Sequence, residues 1–260
     1  MSVHRPDSRI GSLDDRVRVY LEGTLGFSLD SFPSAGIEAR ESSARTDKRD
    51  DRLCVVRIGD AALATGIPRV VAAIRPAFEC MSIEELFSPL GLAELSRAMQ
   101  PEDAESLAHG FDYLLTSRKD FRPAEMAHGV VPLTKSDIPA EQFELRMSER
   151  RESESDDFVW AFACHHDDPD AVATENALFG PRCASIAIVI WHAPELAGYG
   201  LGTDPPFRGR RYALAVVSAA TEFILRQGAV AWYQAYTTNI PSLRIPRRLG
   251  FTFAWQTIWA

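Results

Sequence analysis

The sequence predicts an α/β protein, on three observations. Short runs rich in Val, Ile, Phe and Trp recur, such as "RLCVVRI" (52–58), "CASIAIVIW" (183–191) and "AVAWYQAY" (229–236). An amphipathic stretch of helical period, 210–227, lies between the last two. Turn-forming residues punctuate the runs. With 260 residues, 46% of them hydrophobic, the chain is long enough for one large domain or two small ones around a substantial core.

In the first half, 52–58 reads as a strand. "IPRVVAAIRPAF" (67–78) reads as a helix broken at Pro76, because proline has no N–H and its ring clashes with the preceding turn. "SIEE" (82–85) has the order of a capping box, with Ser82 and Glu85 three apart, and an interrupted helical pattern follows to about Met99. "FDYLL" (111–115) reads as another strand. The polar stretch "EARESSARTDKRDD" (38–51) is expected to be a solvated or a disordered loop, and "SERRESESDD" (148–157) an exposed helix end and connector.

The second half is better defined. "GVVPLTKSDIP" (129–139) predicts a strand and then a helix start, with "QFELRM" continuing the helix. "FVWAFAC" (158–164) predicts a strand ending in the polar turn "HHDDPD". Residues 183–191 are apolar throughout, as in a buried strand, and "LAGYGLGT" (196–203) is a strand weakened by glycine. Tyr212, Ala213, Val216, Val217, Ala220, Phe223 and Ile224 form one apolar face of a helix over 210–227, and Gly228 stands where its C-terminal cap belongs. A strand (229–236), a short helix (239–248) ended by Gly250, and a closing strand (251–259) complete the chain. Phe251, Phe253, Trp255 and Trp259 share one face of that last strand.

Composition excludes several classes. The net charge of −8 argues against general nucleic-acid binding, which needs a basic footprint. No run of about 18 apolar residues is present, and the opening "MSVHRPDSRIGSLDDRVRVY" has no apolar core of the kind a signal peptide requires. Cys54, Cys80, Cys164 and Cys183 show no CxxC spacing, which fits free thiols in a reducing cytoplasm.

Against this acidic background, "GTDPPFRGRRYA" (202–213) concentrates Arg208, Arg210 and Arg211 at the start of a helix. The positive end of the helix dipole is already there, so further positive charge calls for an anion. Backbone N–H groups converge at such a terminus, Gly209 permits close approach, and arginines add charge-assisted hydrogen bonds. Two linked phosphates suit the site. The other reading is an ordinary loop with solvated arginines. Neither G-x-x-x-x-G-K-[ST] nor a strand-borne G-x-G-x-x-G occurs.

The order strand, "PPFRGRRYA", long helix, strand, "NIPSLRIPRRLGF", strand resembles the GNAT N-acetyltransferase superfamily, and "VVPLTKSDIP" resembles that family's opening strand and helix. The resemblance spans roughly 129–260. It implies a central mixed, mostly antiparallel sheet flanked by helices, with residues 126–260 as the acetyltransferase domain and 1–125 as an accessory α/β region. That region either shapes the acceptor site or is a degenerate second copy of the fold. The implied cosubstrate is acetyl-CoA and the implied partner an amine acceptor. Arg208 matches the first position of the R/Q-x-x-G-x-G/A loop and Ala213 the last. The backbone of Arg208, Gly209, Arg210, Arg211, Tyr212 and Ala213 would then cradle the pyrophosphate. Leu201 and Thr203 would pair with the pantetheine arm, Asn239 would hydrogen-bond it, and Ser242 would open the next helix beside it.

Two positions depart from the family pattern. Arg211 stands at the motif's central glycine, and Pro246 where many members carry a tyrosine acid. For the base the resemblance favours Glu195, with His192 next; the other reading of Glu195 is a surface turn residue, and of His192 a structural one. Tyr199 and Tyr236 are candidate acids, though tyrosines on strands usually pack. "CHHDDPD" (164–170) has metal-ligating residue types, but neighbours on one turn rarely converge on one ion. Trp232, Trp255 and Trp259 line an acceptor pocket, a homodimer contact or a core. A non-catalytic acyl-CoA-binding module is the rival to an enzyme.

Overall fold

The computed structural model describes residues 13–45, 52–104, 107–125, 129–137, 159–168, 172–176 and 179–260. The expected continuation "QFELRM", the connector 148–157 and part of 38–51 lie outside the described residues. The chain forms two compact units, the first made of 1–112, 235–239 and 253–260, the second of 113–234 and 240–252.

The first unit opens with α1 (Asp15–Leu25), whose N-terminus is capped by the Asp14 carboxylate and whose C-terminus passes into a left-handed Gly26. Val17, Leu21 and Leu25 make its buried stripe. β1 (Gly36–Glu41) pairs parallel with β3 (Ala61–Gly66), and β3 forms a hairpin with β2 (Leu53–Ile58) through the turn at Gly59 and Asp60. β2 also pairs antiparallel with β10 (Thr252–Trp259), matching Cys54 with Trp259. α2 (Pro68–Glu79), α3 (Ile83–Leu86), α4 (Pro89–Ala98) and α5 (Pro101–Ala104) follow, and α2 to α4 bury their apolar residues against this sheet. The Ser82–Glu85 capping box is formed, with both reciprocal hydrogen bonds in place.

The expected break at Pro76 does not occur, because α2 runs through it. Pro76 and Ala72 both lie on the exposed face, so water can take the carbonyl that proline leaves without a donor. Buried Val70, Val71, Ile74 and Phe78 hold the helix on either side. On β10, Trp255 is buried as expected, but Phe253 is 50% exposed and meets Phe111 edge to face at 6.0 Å.

β4 (Ala108–Leu115) follows α5. In the second unit the strand order is β9 (Val230–Tyr236), β8 (Leu196–Thr203), β7 (Cys183–Ala193), β6 (Ala161–His165) and β5 (Val130–Leu133). β5, β6, β7 and β8 are successively antiparallel. β6 starts three residues later than expected. The fold is thus mixed α/β with mostly antiparallel pairing, flanked by helices, as the sequence predicts. α6 (Tyr212–Arg226) packs across β6, β7 and β8. It begins two residues after the predicted start, because Arg211 is its N-cap. Ala213 and Phe223 of the predicted apolar face are half-buried, and Phe223 packs on Phe162 at 5.7 Å. α7 (Ile240–Leu249) ends at Gly250, whose φ is +91°. A Cβ there would stand 2.0 Å from the Asp120 carbonyl oxygen, so glycine is required for space as well as conformation.

Candidate functional site: a forked strand pair and a basic loop

β8 and β9 (Val230–Tyr236) run parallel but pair only at Leu196–Val230 and Ala197–Ala231. Beyond those positions the strands part. The Asp204 N–H donates to the Ala184 carbonyl of β7 (3.0 Å), while the Glu195 carbonyl accepts from Val230 of β9 (2.9 Å). Backbone groups alternate sides along a strand, so even-numbered residues of β8 pair with β7 and odd-numbered ones face β9. Past the fork, the N–H and C=O groups of Tyr199, Leu201 and Thr203 therefore point into the opening.

At the open end of the fork the chain enters the basic loop. Asp204 has no exposed surface. Its carboxylate accepts from the N–H groups of Thr174, Glu175 and Asn176 and from the Thr174 hydroxyl, at 2.7–3.2 Å. Burial raises its pKa, but these donors outweigh burial and hold the carboxyl below its ordinary value. A 3₁₀ turn, Pro205–Phe207, then buries Phe207, which stacks on His166 at 4.3 Å and meets Tyr212 edge to face at 5.9 Å. Burial raises the Tyr212 pKa too.

This anchored turn sets out the arginines differently. Arg208 donates through Nε to the Thr203 carbonyl (3.1 Å) and pairs with Glu175 at 3.0 Å, both side chains more than half exposed. A phosphate arriving at Arg208 must displace Glu175. Arg210 lies over the Phe207 ring at 5.9 Å. Gly209 has φ +78°, and Arg211 has φ +69°, the only non-glycine positive φ among the described residues. The residue at the motif's glycine position thus has the left-handed conformation that glycine adopts without strain. The Arg211 side chain makes no capping hydrogen bond, and by the geometry of any helix start the N–H groups of its first turn lack intrahelical partners.

Beside this terminus is a cavity of about 350 Å³, lined by Ala124, Glu125, Arg210, Arg211, Leu214, Ala215 and Arg248. Three guanidinium groups and a helix N-terminus around one cavity suit a polyanion. The sequence reading missed Arg248, Glu125 and Ala124, which arrive from α7 and from the segment 117–125. The hydrogen bonds of Ala124 N–H to Ser218 Oγ and of Arg122 N–H to the Leu249 carbonyl hold that segment in place. It also missed Asp204 and Glu175; the Asp-Pro-Pro order marks a turn, but nothing in it shows that the carboxylate is buried.

The remaining candidates are dispersed. Glu195 is exposed in the Pro194–Glu195 turn between β7 and β8, at the closed end of the fork. Glu195 to Thr203 spans eight residue steps, so Glu195 lies roughly 26 Å along the strand from the loop. Ser242 Oγ is 2.6 Å from the Tyr233 hydroxyl, and burial pushes the Tyr233 phenol up to about 12 despite that bond. Asn239 is exposed in the first unit, and its N–H donates to the Tyr236 carbonyl. Thr221 donates to the Val217 carbonyl, so in the 2.8 Å contact between Tyr199 and Thr221 the phenol is the donor. Burial raises Tyr199 strongly, and its proton is committed to that bond. Tyr236 packs on Trp259 at 5.5 Å. Pro246 is buried within α7. Among the described residues no group of three or more His, Cys, Asp or Glu is placed to hold a metal ion, and no helix is long and apolar enough to cross a membrane.

Fork, anchored turn and basic helix start place three arginines and a helix N-terminus at the mouth of an opened sheet in a mixed α/β fold. Residues 186–260, which contain the fork and the basic helix start, match the family model described as "FR47-like protein", a GNAT-related family. No curated protein matches the chain. Among solved structures, a GNAT-family protein from Novosphingobium aromaticivorans is 21% identical, with 59% of this chain and 63% of that one covered at a TM-score of 0.41. A GNAT-family acetyltransferase from Colwellia psychrerythraea is 12% identical (58% and 55% covered, TM-score 0.40), and a GCN5-related N-acetyltransferase from Kribbella flavida 16% identical (65% and 62%, TM-score 0.40). The chain spans less than two thirds of each of these three.

Proposed function

We propose that the protein transfers an acetyl group from acetyl-CoA to a primary amine of a small molecule or protein. The observation that carries this reading is the fork between β8 and β9 opening onto an arginine-bearing helix start. Residues 126–260 would carry the transfer, with 1–125 as the accessory region. The pyrophosphate would bind the backbone from Arg208 to Ala213, with Arg210, Arg211 and Arg248 around it. The pantetheine arm would lie in the fork on the backbone of Thr203 and Leu201, once Arg208 has released the Thr203 carbonyl. Ser242 would border the arm.

The thioester would then lie toward the closed end of the fork. An inward-facing N–H of β8 would polarise its carbonyl, and the acceptor would attack as a neutral amine. Alignment of the two substrates supplies most of the acceleration in such a reaction. The amine's proton falls to a group near that end, where Glu195 and His192 stand.

Calorimetric titration with acetyl-CoA, followed by a thiol-release assay with amines, tests the proposal. Binding and amine-dependent thiol release are expected; absence of binding overturns it. A second reading, an acyl-CoA-binding module without turnover, is favoured by Arg211 at the glycine position and Pro246 at the position of the acid. It predicts binding without thiol release.

A further inference from the structure

β7 and β8 are in continuous register up to Trp191–Ala197, then resume at Ala193–Leu196. His192 is the extra residue, a bulge of the kind that re-aims a side chain. Its ring turns across β8. A Cβ placed on Gly198 would stand 3.0 Å from His192 Nε2 and 3.3 Å from the Trp232 carbonyl oxygen. The imidazole also meets the Trp232 ring edge to face at 4.6 Å. Gly198 and Trp232 are the first residues past the last paired positions of β8 and β9, so the imidazole sits at the crotch of the fork.

The face it occupies is equally specific. Side chains alternate along β8, so Tyr199, Leu201 and Thr203 point one way and Gly198, Gly200 and Gly202 the other. Tyr199 reaches Thr221 of α6, which places the first set on the α6 side. The three glycines put no side chain of their own on the opposite face of the strand, where a Cβ on Gly198 would meet His192 Nε2 and one on Gly202 would meet Asn176 Oδ1, each at 3.0 Å. An acceptor amine approaching a thioester in the fork over that face would reach it at Gly200, beside His192 Nε2.

From this geometry we infer that His192 is the catalytic proton acceptor for the incoming amine, and that the same imidazole returns the proton to the leaving thiolate. The inference rests on the acetyl-transfer reading. The amine nitrogen forms a bond to the acetyl carbon and the C–S bond breaks, its electron pair leaving on sulfur. The amine proton passes to Nε2. A thiol has a pKa of about 8.5 and an imidazolium about 6.5, so return of that proton to the thiolate is downhill. The products are an amide, a free thiol and a neutral imidazole. No second acid is needed, which accounts for a site with proline at position 246.

The test uses the full-length chain with acetyl-CoA and a fixed set of acceptors: spermidine, glucosamine, a lysine-containing peptide and water. His192→Gln should bind acetyl-CoA within about twofold of wild type, while amine-dependent thiol release falls about 100-fold or more in kcat, the scale of a lost general base. The acid limb of the wild-type kcat/KM profile should be absent from the variant. Gly198→Ala keeps the imidazole but crowds it, and should lower kcat with binding retained. Unchanged kcat in His192→Gln, or a wild-type acid limb that persists there, overturns the inference and leaves acetyl transfer standing. Wild-type binding with no thiol release to any acceptor overturns the inference and favours the binding module. No binding by the wild type overturns both readings.

Discussion

Replacing Arg211 by glycine should stabilise the protein. Arg211 holds φ +69° and ψ +8° at the N-cap of α6, and its side chain makes no capping hydrogen bond. A residue with a Cβ loses roughly 1–2 kcal/mol in this conformation. Glycine removes that strain but gains freedom in the unfolded chain, which takes back about 0.5–1 kcal/mol. The difference is a net gain of about 0.5–1 kcal/mol, because glycine is itself accepted at N-caps. For a protein of this size that is a rise in Tm of about 1–4 °C. Differential scanning calorimetry of the two chains at pH 7 measures it. A fall in Tm of similar size would refute the reasoning, because the Arg211 side chain would then contribute more than its backbone costs. Acetyl-CoA titration of the same variant separates a second effect. Binding should survive, since the backbone N–H is retained; complete loss would make the Arg211 guanidinium the principal phosphate ligand.

Arg208→Ala should weaken acetyl-CoA binding by about 1–3 kcal/mol, measured by calorimetry, with the lower end expected because Arg208 must first leave Glu175. Asp204→Asn should destabilise the protein by about 2–4 kcal/mol, seen as a lower urea midpoint, because an amide cannot accept all the donors that the buried carboxylate holds. His109 is buried between Phe87 and Phe111, and burial lowers its pKa from 6.5 to about 4, with the neighbouring Gln256 opposing the effect and Arg57 adding to it. The unfolded chain takes up this proton before the folded one does. His109 therefore lowers stability as pH falls from 6.5 towards 4, and His109→Phe should flatten Tm against pH in that window.

The C-terminal architecture was legible because its signals are local. The apolar run at 183–191, the period of the 212–226 helix and Gly228 and Gly250 each describe their own surroundings. Pro76 was misread because residue type does not show which face of a helix meets water. Arg211 was identified as a departure, but its left-handed backbone is imposed by the turn from Asp204 to Gly209 and by α6, not by arginine. Arg248 and Glu125 reach the cavity beside the α6 N-terminus through folding, so spacing gave no sign of them. His192 was visible as a candidate; the bulge that turns it over Gly198 was not.

The pairing of β2 with β10 also has a consequence for the timing of folding. Cys54 and its partner Trp259 are about two hundred residues apart in the chain. A ribosome adding about 5–20 residues per second leaves β2 without that neighbour for about 10–40 s. The unit that is begun first is completed last, and a mostly apolar strand, "LCVVRI", must wait with one edge unpaired. Refolding of the whole chain faces the same long closure, so its slow phase should report β10 docking rather than formation of the forked site.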